Sequence, residues 1–135
     1  MIKIISGKYK GRKLFNVPNI YLRPTQAIVR KSMMQILEPF EGMSVLDLYS
    51  GVGTLGIEAL SRGAKKLSFV ESNFSAVKVL EKNIESICFD DDIEIFPYDV
   101  THFFKSNFAK YDIIIADPPY ALVDYRSLKK KVLPF

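Results

Sequence analysis

The sequence has no tryptophan, one histidine and one cysteine among its 135 residues. A lone thiol, Cys88, forms no internal disulfide, and neither it nor His102 has partners at a recognisable metal-ligand spacing. A disulfide scaffold and a structural metal are therefore not expected, and a cytoplasmic protein is. No apolar run approaches the roughly 20 residues that a membrane span needs. The opening MIKIISGKYKGRK lacks the apolar core of a secretion signal. Internal repeats and low-complexity stretches are also missing. What is present is a globular make-up of 48% hydrophobic, 13% aromatic and 25% charged residues, too aromatic for a solvated tail. The length suits one domain that buries roughly two-thirds of its unfolded surface.

Charge is unevenly placed. Met1 to Gly42 holds eight basic and two acidic residues, whereas the remainder holds eleven basic and thirteen acidic. A basic front on a near-neutral body suits a polyanion partner, although a solvated charged face gives the same count.

Three segments follow one another. In the first, Ile2–Ile5 and Lys13–Val17 are short β-prone runs around the basic, glycine-flanked loop Ser6–Gly11, which predicts a hairpin or irregular β-arm. Thr25 then caps a helix with Val29, Met33, Ile36 and Leu37 on one face, ended by Pro39 and Gly42. In the second, Val45–Leu48, Leu67–Val70, Ile93–Phe96 and Tyr111–Ala116 read as strands, the last apolar enough to be buried on both faces. Between them lie a helix closed by Arg62 and Gly63, and another over Ser75–Ile87 with the stripe Val77, Leu80, Ile84 and Ile87. This alternation predicts an α/β fold with a parallel, doubly wound sheet. The third segment, Ala121–Phe135, holds a weak helix over Tyr125–Val132.

The glycines Gly51, Gly53 and Gly56 form a GxGxxG between a strand and a helix. Their expected roles are a tight turn, bare backbone for a ligand and close helix packing. Glu71, twenty residues on, stands where a carboxylate accepts both ribose hydroxyls of an adenosine. Asp99, after the third strand, suits an adenine amine, or it is an ordinary helix cap. Asp47 suits the cationic amino-acid end of S-adenosyl-L-methionine (SAM) and would repel a pyrophosphate. That favours SAM over a dinucleotide.

Asp117-Pro118-Pro119-Tyr120 follows the fourth strand, at the same end of the sheet. An Asp side chain and a proline carbonyl converge there as acceptors, without a competing amide donor. They suit an exocyclic base amine held with its lone pair toward a methyl donor, and Tyr120 offers a stacking face worth roughly 1–3 kcal/mol.

Asp-Pro-Pro-Tyr is a form of the motif of SAM-dependent amino-group methyltransferases. Together with IISGKYKGRKL, LRPT, VRKSMMQIL and VLDLYSGVGTLGIEALSRGAKKLSFVE, it resembles the bacterial 16S rRNA guanine-N2 methyltransferases of the ribosomal small-subunit methyltransferase D family. The resemblance implies a Rossmann-like class I methyltransferase fold with SAM as cofactor. It places Asp47, Tyr49, Gly51 and Gly53 on the SAM loop, Glu71 on the ribose and Asp99 on the adenine. Asp117, Pro118, Pro119 and Tyr120 become the catalytic motif. Lys8, Lys10, Arg12, Arg23 and Arg30 become RNA contacts, with 16S rRNA or a small-subunit assembly intermediate as partner. Two units are expected, an RNA-binding arm and helix over 1–42 and a SAM-binding core over 43–135.

The family's sheet has seven strands, and only the first four are expected here, which leaves the fourth as an apolar edge. A piece of a longer protein is the favoured explanation. Self-association through that edge, or a decayed homologue that only binds SAM or RNA, are the others. A nicotinamide-dependent oxidoreductase would leave the Asp-Pro-Pro-Tyr run and the basic arm without purpose. Cys88 is expected to be a buried filler and His102 a surface residue.

Overall fold

The computed structural model describes residues 2–17, 27–107 and 109–117. Along these residues the elements are β1 (Ile2–Lys3), β2 (Lys13–Leu14), α1 (Ala27–Leu37), β3 (Ser44–Leu48), α2 (Thr54–Ser61), β4 (Lys66–Val70), α3 (Phe74–Ile87), β5 (Asp92–Phe96), α4 (Val100–Ser106) and β6 (Ile113–Ala116). No helix among them is long and apolar enough to cross a membrane. Strands β3 to β6 form one parallel sheet in the order β5-β4-β3-β6. This is the Rossmann-like α/β arrangement that the alternating sequence predicts.

The central strands β3 and β4 are apolar because both faces are covered. Val45 and Ile115 pack into a cluster with Ile57, Leu60, Leu67, Phe69 and Leu80. Leu46, Leu48 and Ile114 pack on the opposite side with Val70, Val100 and Phe103 of α4. Helix α4 was expected only as a possible start at Asp99. Its seven residues are too few to show a helical period, and the Asp99 side chain caps it by accepting the His102 amide at 2.7 Å. Strand β6 pairs only with β3 among the described residues. Only Ile115 on it is fully buried, so the burial expected on both faces is not seen there.

Helix α1 also differs from expectation. Arg30 and Met34 are its buried residues, whereas Val29 is 47% and Ile36 82% exposed. The helix is turned so that an arginine faces inward, because a buried acid, Glu58, awaits it. Thr25 and the helix expected near the end of the chain lie outside the described residues.

The arm is short in ladder and long in anchors. Ile2 pairs with Leu14 and Lys3 with Lys13, antiparallel. Beyond that the Ile5 and Ser6 amides donate to the Glu58 carboxylate at 2.8 and 3.1 Å. The Lys8 amide donates to the Ser61 carbonyl at 2.8 Å and the Tyr9 amide to Ser61 Oγ at 2.9 Å. Gly7 permits this approach: its φ is +91°, and a Cβ there would lie 1.9 Å from the Ser61 carbonyl oxygen. Glu58 is fully buried, accepts Arg62 Nε at 3.0 Å and lies 3.9 Å from Arg30 Nε. Ile4 and Leu14 share the apolar cluster of β3 and α2. The segment before Gly42 and the sheet thus have one core in common.

Candidate functional site

The sheet order reverses between β3 and β6, so their C-terminal ends flank the crevice where open α/β sheets take ligands. The chain leaves β3 through a loop with three left-handed residues, Tyr49 (φ 57°), Gly51 (φ 58°) and Gly53 (φ 94°). A bulky residue in that region carries backbone strain on the order of 1–3 kcal/mol, so Tyr49 is held there by its surroundings. The Ser50 amide donates to the Val70 carbonyl at 3.1 Å and the Gly53 amide to the Ser50 carbonyl at 3.0 Å. The Gly51 amide donates to Glu71 Oε1 at 2.7 Å.

The three glycines have different surroundings. A Cβ on Gly51 would meet nothing within 4 Å, so this is the residue with open space beside it. A Cβ on Gly53 would lie 2.5 Å from Leu80 Cδ1 and 3.2 Å from Ile57 Cδ1. The core and its φ therefore require a glycine at 53. Gly56 serves packing as expected, since a Cβ there would lie 2.4 Å from Phe69 Cε1.

Four carboxylates gather at this end of the sheet. Glu71 follows β4 and accepts a second amide, that of Asn73, through Oε2 at 2.8 Å. Each oxygen keeps further acceptor capacity for hydroxyl donors. Asp47 is only 1% exposed, and its Oδ2 accepts the Gly56 amide at 2.9 Å inside the start of α2. Burial pushes its carboxyl up to about 8, Glu71 and Asp117 add to the rise, and the Gly56 amide opposes it. Asp47 thus lies further inside than the ligand contact expected of it. Asp99 is exposed and is the cap of α4. Asp117 follows Ala116, which pairs with Leu48, so it stands level with Tyr49. Burial, and then the Asp99 charge, hold the Tyr49 hydroxyl above the usual phenol range.

Tyr49, Val70, Glu71, Ser72, Tyr98, Asp99 and Val100 line a shallow, open cleft. None of them is basic. Apolar walls, two phenol rings and two acids suit an uncharged heterocycle with a hydroxylated sugar or a cationic group. A diphosphate would find two acids and no compensating cation here. Val70, Ser72, Tyr98 and Val100 were not singled out from the sequence. Their signal is position alone, since each stands directly beside Glu71 or Asp99.

Pro118, Pro119, Tyr120 and Arg23 lie outside the described residues. Of the arm's cations, Lys10 is exposed, Lys8 Nζ donates to Asp91 Oδ1 at 2.9 Å, and Arg12 donates to the Ser86 carbonyl at 2.6 Å. The Tyr9 hydroxyl also bonds Asp91. Arg30 departs from the surface role expected of it. It is 3% exposed and donates to the Lys3 carbonyl at 2.6 Å, so it braces the arm from within.

Residues 2–133 match the family described as Conserved hypothetical protein 95. The chain is 38% identical over 136 residues to the ribosomal RNA small subunit methyltransferase D of Buchnera aphidicola subsp. Acyrthosiphon pisum, covering 98% of this chain and 68% of that protein. The chain belongs to this family. The methyltransferase D of Haemophilus influenzae is 35% identical over 123 residues, which cover 88% of this chain and 64% of the relative. This chain therefore spans about two-thirds of the length of the curated relatives it matches. The solved structure of the putative methyltransferase yhhF from Escherichia coli is 31% identical, with a TM-score of 0.79 over 87% of this chain and 64% of that one. The glycine loop, Glu71 and Asp117 thus sit on a class I methyltransferase fold.

Proposed function

We propose that this chain binds SAM at the C-terminal ends of β3, β4 and β5 and directs its methyl group to the N2 amine of a guanine in small-subunit ribosomal RNA. The observation that supports this most is the cleft itself. Its lining holds Glu71 and Asp99 and no cation, and Asp117 stands beside it at the switch point. The names of the relatives supply the substrate class.

When bound, SAM supplies an electrophilic methyl on a sulfonium. The chain's residues do the rest by position. Glu71 accepts the ribose hydroxyls with the lone pairs that the Gly51 and Asn73 amides leave. Asp99 and the ring of Tyr98 flank the base. The buried Asp47 holds the start of α2 in place by accepting the Gly56 amide. Asp117 and the Pro118 carbonyl accept from the guanine amine and point its lone pair at the methyl, while Tyr120 stacks on the base once it leaves its helix. With SAM bound, the carbon–nitrogen bond would form as the methyl–sulfur bond breaks to leave a neutral thioether, and the amine would give up one proton to water. Alignment of two bound reactants supplies several of the roughly 7–11 kcal/mol available from positioning. The arm's Lys8, Lys10 and Arg12 neutralise phosphates.

Calorimetry of the chain with SAM, and with NADH as control, tests the cofactor. Transfer of labelled methyl into 16S rRNA, with N2-methylguanosine as the expected product, tests the reaction. Asp117→Ala should remove transfer and leave SAM affinity within about threefold, because orientation of the amine and binding of the cofactor are separate terms. SAM binding without transfer would instead make the chain a SAM- and RNA-binding domain.

A further inference from the structure

Asn83 interrupts the apolar stripe of α3. It is fully buried, and its amide reaches two segments far apart in sequence. Oδ1 accepts the Phe15 amide at 2.7 Å, and Nδ2 donates to the Phe15 carbonyl at 3.0 Å and to the Val52 carbonyl at 2.9 Å. Phe15 is the first residue after β2, where the arm leaves its two-residue ladder. Val52 lies between the left-handed Gly51 and Gly53, inside the loop whose Gly51 amide Glu71 holds. One planar group therefore spans the arm and the cofactor loop, with its acceptor and both donors in use.

We propose that Asn83 is a positioning residue of the cofactor site, through which the docking of the arm sets the glycine loop. The inference rests on the SAM reading for its functional meaning and on the hydrogen bonds for its mechanism. Buried as it is, the amide has no water to replace a lost partner, so its orientation is decided by Phe15 and Val52 together. If the Phe15 backbone moves, the amide must leave a polar atom bare or rotate, and rotation withdraws the donor from Val52. The loop rests on the same helix at a second point, since the missing Cβ of Gly53 faces Leu80. Helix α3 thus holds the loop by packing at Leu80 and by orientation at Asn83. No other amino acid of this size offers one acceptor and two donors in a plane. Aspartate loses both donors, and serine does not reach both segments.

The test uses a change in the arm that leaves Asn83 and every residue lining the cleft in place. Phe15→Pro removes the amide hydrogen that Asn83 Oδ1 accepts, and Asn83→Asp removes the donors to Val52. Amide hydrogen exchange at Gly51 and Gly53 and SAM affinity by calorimetry are measured for the wild type, both variants and the double variant. Phe15→Pro should speed exchange at Gly51 and Gly53 and weaken SAM by about tenfold, within the usual range of site-to-site coupling. Exchange within β4 should stay unchanged, which a general loss of stability would not allow. The double variant should lose no more SAM affinity than Asn83→Asp alone. Loop exchange and SAM affinity within about twofold of wild type in Phe15→Pro, or losses that simply add, would overturn the proposal. If Asn83→Asp does not fold, Phe15→Pro decides alone. If the wild type binds no SAM, the cofactor reading fails, and exchange at Gly51 and Gly53 still decides the positioning role.

Discussion

Glu71 accepts the Gly51 amide at 2.7 Å across twenty residues of sequence, so the acid after β4 and the loop after β3 form one unit. In Glu71→Gln one oxygen becomes an amide nitrogen that faces an N–H donor, either of Gly51 or of Asn73. A charged acceptor for the cofactor's hydroxyls is lost as well. SAM affinity should fall about ten- to a hundredfold, the scale of one charge-assisted hydrogen bond. A dissociation constant equal to that of wild type in calorimetry would remove Glu71 from the site.

The two loop glycines should respond oppositely in stability and binding. Gly53→Ala places a methyl against Leu80 in a left-handed residue and should cost about 2–4 kcal/mol in denaturant unfolding. Gly51→Ala meets no neighbour within 4 Å, and should cost only about 1 kcal/mol for its backbone conformation. Its methyl projects into the open space beside the loop, so it should harm SAM binding more than stability. The reverse order of stabilities would mean that the loop is arranged differently.

Asp47 makes a pH prediction with a definite sign. Its carboxyl is raised from 3.8 to about 8, chiefly by burial. The folded chain therefore holds a proton that the unfolded chain releases, and this group's contribution to stability falls as pH rises from about 4 to about 8. Asp47→Asn keeps an oxygen for the Gly56 amide and removes the titration. Its unfolding midpoint should exceed that of wild type at about pH 8 and approach it near pH 5. Parallel midpoints across that window would contradict a buried, protonated Asp47.

Salt dependence tests the arm. With Lys8, Lys10 and Arg12 changed to Ala, the slope of log affinity for RNA against log salt should flatten by about two to three, one per phosphate contact released. Lys8 is bound at home by Asp91, whose hydrogen bond is the main reason that its ammonium titrates above the usual lysine range. Asp91→Asn should therefore tighten RNA binding and steepen the slope by about one. An unaltered slope in the triple variant would move the RNA surface elsewhere.

The strands β3 to β6 and the helices α2 and α3 were legible because period and punctuation agree: apolar runs, a glycine loop and Gly63 past the helix end. So was the grouping of Asp47, Glu71, Asp99 and Asp117 at one end of the sheet, since each follows or ends a strand. The orientation of α1 was not legible. Val29 and Ile36 look more buried than Arg30 until Glu58 is known to lie beneath, and that contact is set by tertiary packing. The division of labour between Gly51 and Gly53 was hidden for a related reason. Which of two glycines faces the core depends on where Leu80 of a later helix arrives. Asn83 left a readable trace, a polar residue at a buried position of an apolar stripe, but nothing local said which two segments it joins.

Glu58 has a mechanical consequence. Because this buried acid holds the Ile5 and Ser6 amides as well as Arg62, lifting the arm would break two hydrogen bonds to a buried carboxylate at once. The arm is thus no tentacle that finds its partner and then settles. It is a clamped part of the fold, held at Glu58, Ser61 and Asn83, so whatever it meets finds it already ordered and little chain entropy is lost at the encounter.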